Sequence, residues 1–415
     1  MIEVITRVRH HDGDPFLSQA ATEHTPRPEE KDPVTTLAPP PTATLPAGKT
    51  DDRAQIAARL AAPTEARRIV VLIPAYNEAG SIAATIDSIA QQSVLPTATV
   101  VVANNCTDRT EDVAREHGAL VFLAEPNKDK KAGALNMALE FVVPLLDDSD
   151  AVLAMDADTT LSETFIEIAS ERLTGNVGGV GGAFIGRECR STVGYLQRME
   201  YYRYRREIVQ RGERAFVLSG TGALISVEAL NAVKSARDGE TLPAGTSFYD
   251  TFSLTEDNEL TFAMLACGYQ CLSPVEMTTT TDVMETPSML WQQRHRWYLG
   301  ALRNLQAYGS RMPWHMRWVY WRQQAGLALS VLAVAAHVLL VAILLGLGTF
   351  SLSPWWTGLA ACILLANMAM IWRMGRRARI LTLTVEPFYN VFLLLIFCAA
   401  TFSFLSGRKG EWVHT

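Results

Sequence analysis

Two carboxylates that stand two positions apart could hold a divalent cation. Asp156 and Asp158 follow a short apolar run, so at the end of a strand both side chains would face the same side of a sheet. Carboxylate oxygens bind Mg²⁺ or Mn²⁺, and such a cation neutralises the negative charge of a departing diphosphate. A simpler interpretation is that the pair only caps a helix beginning near Leu161.

A Gln-x-x-Arg-Trp motif comes shortly before the most apolar part of the chain. Helical spacing would place Gln293 with Arg296, and Gln293 with Trp297, on one face. Arginine binds phosphate oxygens as a planar fork and tryptophan offers a flat surface to a sugar ring, so we expect a phosphate and a sugar to meet here. Taken alone, Trp297 could instead anchor a helix at a membrane interface. Four tryptophans in the neighbourhood suit that alternative: Trp291, Trp314, Trp318 and Trp321.

These groups need a regular fold to position them, and the chain from Arg68 onward alternates between apolar runs and helical segments. The apolar runs predict strands at residues 69–73, 99–102, 120–124 and 151–155. The segments between them predict helices at residues 78–92, 111–117 and 131–143. This order is typical of an α/β domain with a largely parallel sheet. Polar residues follow the strands, where open α/β sheets bind ligands, so the layout predicts a nucleotide-binding domain.

The composition divides the chain of 415 residues into a soluble part and a membrane part. Hydrophobic residues make up 48% of it, yet acidic residues outnumber basic ones by 43 to 37. Residues 1–66 are rich in proline and poor in large apolar side chains, so they predict a disordered tail. Residues 1–16 lack the apolar core of a signal peptide, and we therefore expect the N-terminus to remain in the cytoplasm.

Six short motifs occur in the order that is typical of one enzyme family. They are Ile73–Glu78, Asn104–Asp108, Lys131–Asn136, Asp156–Asp158, Thr255–Asp257 and Gln293–Trp297. With this ordered set, the chain resembles membrane-integrated, inverting family 2 glycosyltransferases and is similar to cellulose, chitin and hyaluronan synthases. The resemblance covers roughly residues 68–322. It implies an α/β fold, a GT-A Rossmann-like domain that binds a nucleotide sugar, followed by amphipathic interface helices and C-terminal transmembrane helices.

The resemblance assigns the catalytic base to Asp257, which would remove a proton from the acceptor hydroxyl. Glu256 beside it could raise the pKa of Asp257 by like-charge repulsion, although adjacent residues need not face each other. Alternatively, both residues are simply the acidic first turn of a helix over residues 258–267, where negative charge is favourable.

Donor and acceptor contacts are also implied by the resemblance. For the nucleotide-sugar donor they are Pro74, Tyr76, Glu78, Asn104, Lys131, Asp156, Gln293 and Arg296. For the acceptor they are Ser219, Gly220, Thr221, Glu256 and Trp297. The small residues at 219–221 suit a loop beneath the phosphates, but a plain turn between strands explains them equally well.

Two of the donor residues call for separate comment. Lys131 opens a predicted helix, so its charge and the helix N-terminus together suit a diphosphate; the alternative is a solvated lysine in a basic run. Asn104 stands where related enzymes usually carry an Asp that reads the nucleotide base. An amide keeps the hydrogen-bonding capacity and loses the charge, so a UDP-sugar remains the expected donor.

The C-terminal part predicts membrane attachment. Residues 286–323 combine arginine with tryptophan and tyrosine and contain no acidic residue, which predicts interface helices on anionic lipid. A nucleic-acid groove could have the same composition, but this segment leads directly into apolar sequence, so no nucleic-acid partner is expected. Residues 324–406 predict about three transmembrane spans, at 325–347, 355–372 and 388–405.

The expected topology keeps the catalytic domain, residues 67–285, in the cytoplasm with its nucleotide-sugar supply. Four arginines between the second and third predicted spans agree with this orientation, because cytoplasmic loops are enriched in basic residues. They are Arg373, Arg376, Arg377 and Arg379. The C-terminal tail at 407–415 would then lie outside, unless the third segment is re-entrant or interfacial.

Secreting synthases usually also have helices before the catalytic domain, and a monomer with three spans could hardly enclose a polysaccharide channel. Either several copies of the chain assemble into a homo-oligomer, or the enzyme transfers one or a few sugars without secretion.

Three functions agree with the sequence to different extents. The first is inverting transfer of glucose or N-acetylglucosamine from UDP to a hydroxyl of a glycan, a lipid or a protein, with a metal and an Asp base. The second is transfer to polyprenyl phosphate, which scarcely needs a base or the Gln-x-x-Arg-Trp motif. The third is a non-catalytic, membrane-anchored nucleotide-binding protein, which the retained acidic residues disfavour.

Overall fold

A computed structural model describes residues 50–215, 217–243, 247–349, 351 and 353–407. Ten strands are described in the α/β part of the chain. They are β1 (Ile69–Ala75), β2 (Ala98–Ala103), β3 (Leu120–Leu123), β4 (Ala151–Ala154), β5 (Thr160–Leu161), β6 (Val177–Gly181), β7 (Ala183–Gly186), β8 (Ala223–Ser226), β9 (Gln270–Leu272) and β10 (Thr278–Thr281).

The α-helices of the described residues fall into two groups. Those among the strands are α1 (Arg53–Leu60), α2 (Ile82–Ala90), α3 (Thr110–Glu116), α4 (Lys130–Val142), α5 (Phe165–Arg172), α6 (Thr192–Gln210), α7 (Val227–Asp238) and α8 (Glu256–Ala266). Those after the strands are α9 (Pro287–Tyr308), α10 (Trp314–Gly346), α11 (Pro354–Met370), α12 (Arg376–Thr384) and α13 (Glu386–Leu405).

One sheet of seven strands organises the α/β part, in the order β3-β2-β1-β4-β8-β6-β9. β1 pairs in parallel with β2 and β4, and β2 pairs in parallel with β3. β8 runs antiparallel to both of its neighbours, so the sheet is mixed, with its parallel half on one side. A second sheet of three short strands, β5-β10-β7, lies beside it.

Strand β1 is apolar throughout because both faces of the sheet are covered. Val70 and Leu72 pack into the core cluster on one face, and Val71 and Ile73 pack into the cluster on the other. Alternate side chains of a strand point to opposite faces, so a strand buried on both sides reads as a continuous apolar run. The predicted strands and helices between residues 69 and 155 are confirmed, with ends that differ by a few residues.

The disordered tail predicted for residues 1–66 includes a segment that is folded in the structure. Helix α1 lies inside the range 1–66, and its two large apolar residues, Ile56 and Leu60, are fully buried against the sheet. Asp52, just before the helix, accepts a hydrogen bond from the backbone N–H of Val121 in β3 at 2.9 Å. Residues 1–49 lie outside the described residues, and so do residues 408–415 of the predicted C-terminal tail.

The long helix α10 spans the predicted boundary between interface and membrane regions. Its 33 residues are continuous across residue 323, and at 1.5 Å per residue they extend about 50 Å. Met316 and Tyr320 in its first turns are buried in the catalytic core, where the Tyr320 ring meets Phe262 at 4.5 Å. The apolar residues beyond them are exposed, as a lipid-facing surface would be.

Of the three predicted spans, two correspond to helices long and apolar enough to cross a membrane, α10 and α13. The middle one corresponds to α11, whose apolar part, Thr357–Met370, is shorter than that. It is followed by a 3₁₀ turn at Trp372–Met374 and by α12. The number of spans therefore stays a prediction, with two of the three segments long and apolar enough among the described residues. Helix α13 packs along α9, with Trp291 against Phe392 and Tyr298 against Phe397.

Replacing Ile56 with Ala should lower the free energy of unfolding by about 2–4 kcal/mol, because the cavity left by a buried aliphatic side chain cannot fully close. The measurement is chemical denaturation of the purified protein in detergent. Gln55→Ala, on the exposed side of α1, is the matched control. Equal stability of the two variants would show that α1 is not docked on the sheet.

Candidate active site

A cavity of about 570 Å³ opens at the carboxyl ends of β1, β2 and β4. Every residue that the sequence predicts for donor, acceptor, base or metal lines this cavity, although the residues come from seven separate segments of the chain. The carboxyl ends of parallel strands meet at one edge of a sheet, which brings the segments after β1, β2 and β4 together. The loop before β8, the start of α8 and one face of α9 complete the wall.

Asp156 and Asp158 lie in the loop between β4 and β5. The backbone N–H of Asp156 donates to the carbonyl of Gly220 at 2.8 Å. The carbonyl of Asp158 accepts from the guanidinium of Arg187 at 2.8 Å. Residues 160–161 form a strand, and the next helix starts only at Phe165. The interpretation of this pair as a helix cap is therefore wrong.

Lys131 lies among the acidic residues rather than in solvent. Its Nζ is 2.5 Å from Asp156 Oδ1 and 2.9 Å from Glu256 Oε1. Burial by itself would lower the pKa of Lys131, but the charges of Asp156, Glu256 and Asp257 outweigh it and hold that pKa well above its usual value. The ammonium is therefore permanently charged, and the interpretation of Lys131 as a solvated lysine is wrong.

The carboxylate of Asp257 is held by backbone donors at the start of α8. Gly220 N–H donates to Asp257 Oδ2 at 3.1 Å, and Asn258 N–H donates to Oδ1 at 2.7 Å. Burial and then the charge of Glu256 raise the pKa of Asp257 to about 6, against the opposing charge of Lys131. Glu256 is also buried, but the ion pair with Lys131 keeps the pKa of Glu256 below its usual value. Two adjacent carboxyls thus acquire different acidities.

Gly220 joins the two acidic groups through a single residue. Its carbonyl accepts from Asp156, and its N–H donates to Asp257. A Cβ at this position would lie 2.7 Å from Lys131 Nζ and 3.1 Å from Asp156 Oδ2, so a side chain here would displace the end of Lys131 from its carboxylate partners. Ser219 and Thr221 on either side share a hydrogen bond between their hydroxyls at 2.6 Å. The loop is part of the cavity wall as well as a connection to β8.

Three asparagine amides at the other end of the cavity form a network with only one consistent orientation. Asn127 donates from Nδ2 to the carbonyl of Lys130 at 2.6 Å and accepts at Oδ1 from the N–H of Asp129 at 2.9 Å. Its remaining amide hydrogen goes to Asn104 Oδ1 at 2.8 Å, and Asn105 Nδ2 donates to the same oxygen at 3.2 Å. The oxygen of Asn104 is therefore occupied. Its Nδ2 has no hydrogen-bond partner within the described part of the chain.

The Gln-x-x-Arg-Trp motif lies on α9, and all three of its named residues reach the cavity. Gln293 is buried, and its side-chain oxygen has no hydrogen-bond partner among the described residues. A buried carbonyl without a donor is costly, which favours a ligand hydroxyl or N–H at this point. Arg296 donates weakly to the carbonyl of Leu254 at 3.4 Å. Trp297 is half-buried, with the guanidinium of Arg294 over its ring at 4.3 Å.

Helix α9 is fastened to the start of α8. The amide of Asn304 donates to Thr255 Oγ1 at 3.2 Å and to Asn258 Oδ1 at 2.9 Å. A Cβ at Gly300 would lie 2.5 Å from the Thr255 hydroxyl, so the absence of a side chain lets the helices approach. The segment that carries Asp257 and the segment that carries Trp297 are thereby held in one arrangement.

Several residues of the cavity wall carry no signal in the sequence. Phe184, Tyr201 and Met284 line it, and the Phe184 ring meets Tyr201 edge-on at 4.7 Å and stacks on Tyr204 at 5.1 Å. These residues lie outside every recognisable motif. Asn127 could have been suggested by its position after β3, at the same edge of the sheet as Asn104.

Comparison with known proteins agrees with this geometry. Residues 66–300, more than half of the chain, match the family described as "Glycosyltransferase like family 2". The chain belongs to this family. The matched region is a glycosyltransferase domain of the nucleotide-sugar-dependent kind, with a mixed α/β, GT-A-like fold.

Two relatives of this glycosyltransferase cover different parts of it. Poly-beta-1,6-N-acetyl-D-glucosamine synthases of Staphylococcus aureus are 25% identical over 243 residues, which is 57% of this chain and 55% of theirs. The chain therefore spans about half the length of the curated relatives it matches. A mannosyltransferase from Pyrobaculum calidifontis, solved in complex with GDP-Man and Mn²⁺, superposes with a TM-score of 0.56 at 19% identity. The superposition covers 86% of this chain and 94% of that one, and it shows the shared fold.

Gly220→Ala should reduce turnover of a nucleotide sugar by this glycosyltransferase at least ~10-fold, because an added methyl in so tight a site costs ~1–3 kcal/mol. The assay is nucleotide release by purified protein, with the melting temperature as a check on folding. Gly80→Ala is the matched control, since a Cβ at Gly80 would have no atom within 4 Å. Full activity of Gly220→Ala would mean that the approach of the loop to Lys131 is unnecessary.

Proposed function

We propose that this protein is a membrane-bound, inverting glycosyltransferase that moves a sugar from UDP to an acceptor hydroxyl. The sugar we favour is N-acetylglucosamine rather than glucose, since the curated relatives are named as poly-N-acetylglucosamine synthases. The acceptor is a growing glycan, with a lipid or protein hydroxyl as alternatives. The observation that carries the proposal is the convergence of Asp257, the carboxylates of Asp156 and Asp158, and the Gln-x-x-Arg-Trp helix on one cavity.

The residues present fit a divalent cation of the Mg²⁺ or Mn²⁺ type. Burial and the negative charges of Asp156, Asp282 and Glu78 raise the pKa of Asp158 to about 7, so this corner has more negative charge than the protein neutralises. The described residues contain no cluster of three or more metal-ligating side chains. Mg²⁺-type sites commonly use only one or two carboxylates, completed by substrate phosphates and water. Asp156 and Asp158 would hold the cation, which supplies charge neutralisation to the departing diphosphate.

Asp257 is suited to act as the general base. A base works best when its pKa is close to the operating pH, and a pKa of about 6 leaves Asp257 ionised but basic enough to accept a hydroxyl proton. The N–H of Gly220 and of Asn258 orient its two oxygens. Glu256 stays ionised through Lys131, so the two neighbours have separate tasks: Asp257 takes the proton, and Glu256 holds the ammonium.

The face of α9 supplies the remaining contacts. Arg296 lines the cavity and would bind phosphate oxygens, and the unpaired oxygen of Gln293 would accept from a sugar hydroxyl. Trp297 offers its ring as a platform for the acceptor sugar. Phe184 and Tyr201 extend the apolar part of the wall toward it.

Membrane attachment through α10 and α13 is part of the proposal. The exposed side of α10 carries Trp314, Trp318 and Trp321 at its start and aliphatic residues further on. Aromatic residues are enriched at the level of the headgroups, and an exposed apolar surface of this extent has to be covered. The catalytic domain would then lie on the cytoplasmic side, where UDP-sugars are made.

The function is tested with purified protein in detergent, Mn²⁺ and a panel of UDP- and GDP-sugars, measuring nucleotide release and product size. UDP-N-acetylglucosamine should give UDP and a glycan product, and EDTA should abolish both until Mn²⁺ is restored. Asp257→Asn should bind UDP normally and lose transfer by ~10³-fold. Because the base must be deprotonated, wild-type kcat/KM should fall about tenfold per unit as the pH decreases below about 6.

Unchanged turnover in Asp257→Asn, or a kcat/KM that rises toward acid pH, would contradict the assignment of the base. Formation of a sugar phospholipid when polyprenyl phosphate is added would replace the proposed acceptor class.

The orientation of Asn104 predicts how the nucleotide base is read. Its oxygen is occupied by Asn127 and Asn105, so only its N–H₂ is available, and this donor suits a carbonyl of uracil rather than the ring N3–H. Wild-type protein should therefore bind UDP and N3-methyl-UDP with affinities within about threefold. Asn104→Asp replaces the donor with an acceptor and should favour UDP over N3-methyl-UDP by ~10-fold.

Both affinities can be measured by calorimetry with Mn²⁺ present, and Asn104→Ala serves as the control that has neither donor nor acceptor. If wild-type protein already rejects N3-methyl-UDP as strongly as Asn104→Asp does, then Asn104 does not act as a donor to a base carbonyl.

A further inference from the structure

Two polar contacts join α6 of the catalytic domain to the start of α13. Arg203 forms an ion pair with the buried carboxylate of Glu386, and Tyr389 OH donates to Glu200 Oε2 at 2.9 Å. Glu200 and Arg203 are three residues apart on α6, and Glu386 and Tyr389 are three residues apart on α13. Residues at this spacing lie on the same side of a helix, so the two contacts form two rungs between antiparallel helices.

The contact between Tyr389 and Glu200 is connected to the active site through Arg294. The same Oε2 of Glu200 also accepts from the guanidinium of Arg294 at 3.2 Å. Arg294 is buried, and its guanidinium lies 4.3 Å from the ring centre of Trp297 and 5.8 Å from that of Tyr201. A guanidinium over an aromatic face is attracted by the ring quadrupole, and the attraction grows when water is excluded. The charge of Glu200 outweighs the burial of Arg294 and raises the pKa of its guanidinium.

Few groups hold the guanidinium of Arg294. Its Nε has no hydrogen-bond partner among the described residues, although the atom is buried. Glu200 and a side-chain hydrogen bond with Tyr201 orient it. Glu200, which is about one-third exposed, is in turn held by Tyr389. The other rung, Arg203 to Glu386, has no hydrogen bond, ion pair or ring contact with Arg294 or Trp297 among the residues that the structure describes.

We propose that Arg294 is a positioning residue: Glu200 and Tyr389 hold its guanidinium against one face of Trp297, so that docking of α13 sets the platform for the acceptor sugar. The inference rests on the proposed function, in which Trp297 binds the acceptor. It links a helix of the proposed membrane region to acceptor binding, and it leaves the donor half of the site untouched.

The test uses the full-length protein in detergent with Mn²⁺, UDP-N-acetylglucosamine as donor and a β-1,6-linked N-acetylglucosamine trisaccharide as acceptor probe. Tyr389→Phe and Arg294→Lys should raise the KM for the trisaccharide by ~3-fold and ~10-fold, which correspond to ~0.7 and ~1.4 kcal/mol, because both weaken the cation–π contact that holds the ring of Trp297. The KM for the donor, and the slow hydrolysis of the donor without trisaccharide, should stay within about twofold of wild type.

Arg203→Gln is the matched control, because it breaks the other rung and does not reach Trp297. It should lower the melting temperature and leave the KM for the trisaccharide unchanged. If it raises that KM as much as Tyr389→Phe does, the effect reflects loose docking in general and the proposal is overturned. An equal loss of hydrolysis and of transfer in Arg294→Lys would also overturn it.

A second measurement does not need activity. The emission of Trp297 is isolated by subtracting the fluorescence spectrum of Trp297→Phe from that of wild type. The same difference is taken between the spectra of Tyr389→Phe and of the double variant Tyr389→Phe, Trp297→Phe. If acrylamide quenches this difference signal more easily in the Tyr389→Phe background than in wild type, the result supports the proposal. Identical quenching in the two backgrounds contradicts it. Absence of UDP release from any donor in wild type would instead count against the proposed function, and the fluorescence result would still decide the role of Tyr389.

Discussion

The active site depends on one ammonium group held among carboxylates. Lys131 lies 2.5 Å from Asp156 and 2.9 Å from Glu256, with Asp257 close enough to contribute to its charge state. Without this cation, four acidic side chains from two separate loops would repel one another in a half-buried cavity, and burial of unpaired charge is costly. With it, Glu256 remains ionised, while burial and the charge of Glu256 still raise the pKa of Asp257 against the opposing charge of Lys131. Burial and the charge of Asp156 raise the pKa of Asp158, and in the proposed function a divalent cation would bind here.

The backbone does as much as the side chains to hold this arrangement. Gly220 uses its carbonyl for one acidic segment and its N–H for the other, and a side chain at that position would push Lys131 away. Gly300 has the corresponding role at the contact between α9 and Thr255. Two glycines thus allow three separate segments to approach within hydrogen-bonding distance. Neither glycine stands out in the sequence, because the neighbours that require it are distant along the chain.

The sequence predicts those parts of the fold whose pattern lies within a few neighbouring residues. The buried strands β1, β2 and β4 were predicted correctly, since a strand covered on both faces is a continuous apolar run. Helix α1 was missed, because only Ile56 and Leu60 mark it within a proline-rich region. The continuity of α10 across residue 323 was not predicted, because composition changes there while the helix does not. The antiparallel pairing of β8 was not predicted either. The direction of a strand depends on the path by which the chain returns to the sheet, and that path is not evident from the strand's own residues.

The same holds for the site: short motifs can be recognised in the sequence, whereas contacts between distant segments cannot. The motif residues all line the cavity, and each motif carries its chemistry within a few positions of the sequence. The role of Lys131 was only half predicted: its charge was evident, but its carboxylate partners come from the loop after β4 and the start of α8. Phe184, Tyr201 and Asn127 were missed for the same reason, since they become neighbours of the motifs only through the fold.

The length of α10 fixes how far the cleft stands from a bilayer. Its first turns are clamped into the catalytic core through Met316 and Tyr320, and the helix as a whole extends about 50 Å. A hydrocarbon layer is about 30 Å thick, so in the proposed arrangement the remaining length of about 20 Å, which carries Met316, Tyr320 and the exposed Trp314, Trp318 and Trp321, lies at the level of the headgroups. The cleft would then lie close to the membrane surface, and an acceptor anchored in the same membrane would need no long spacer to reach it.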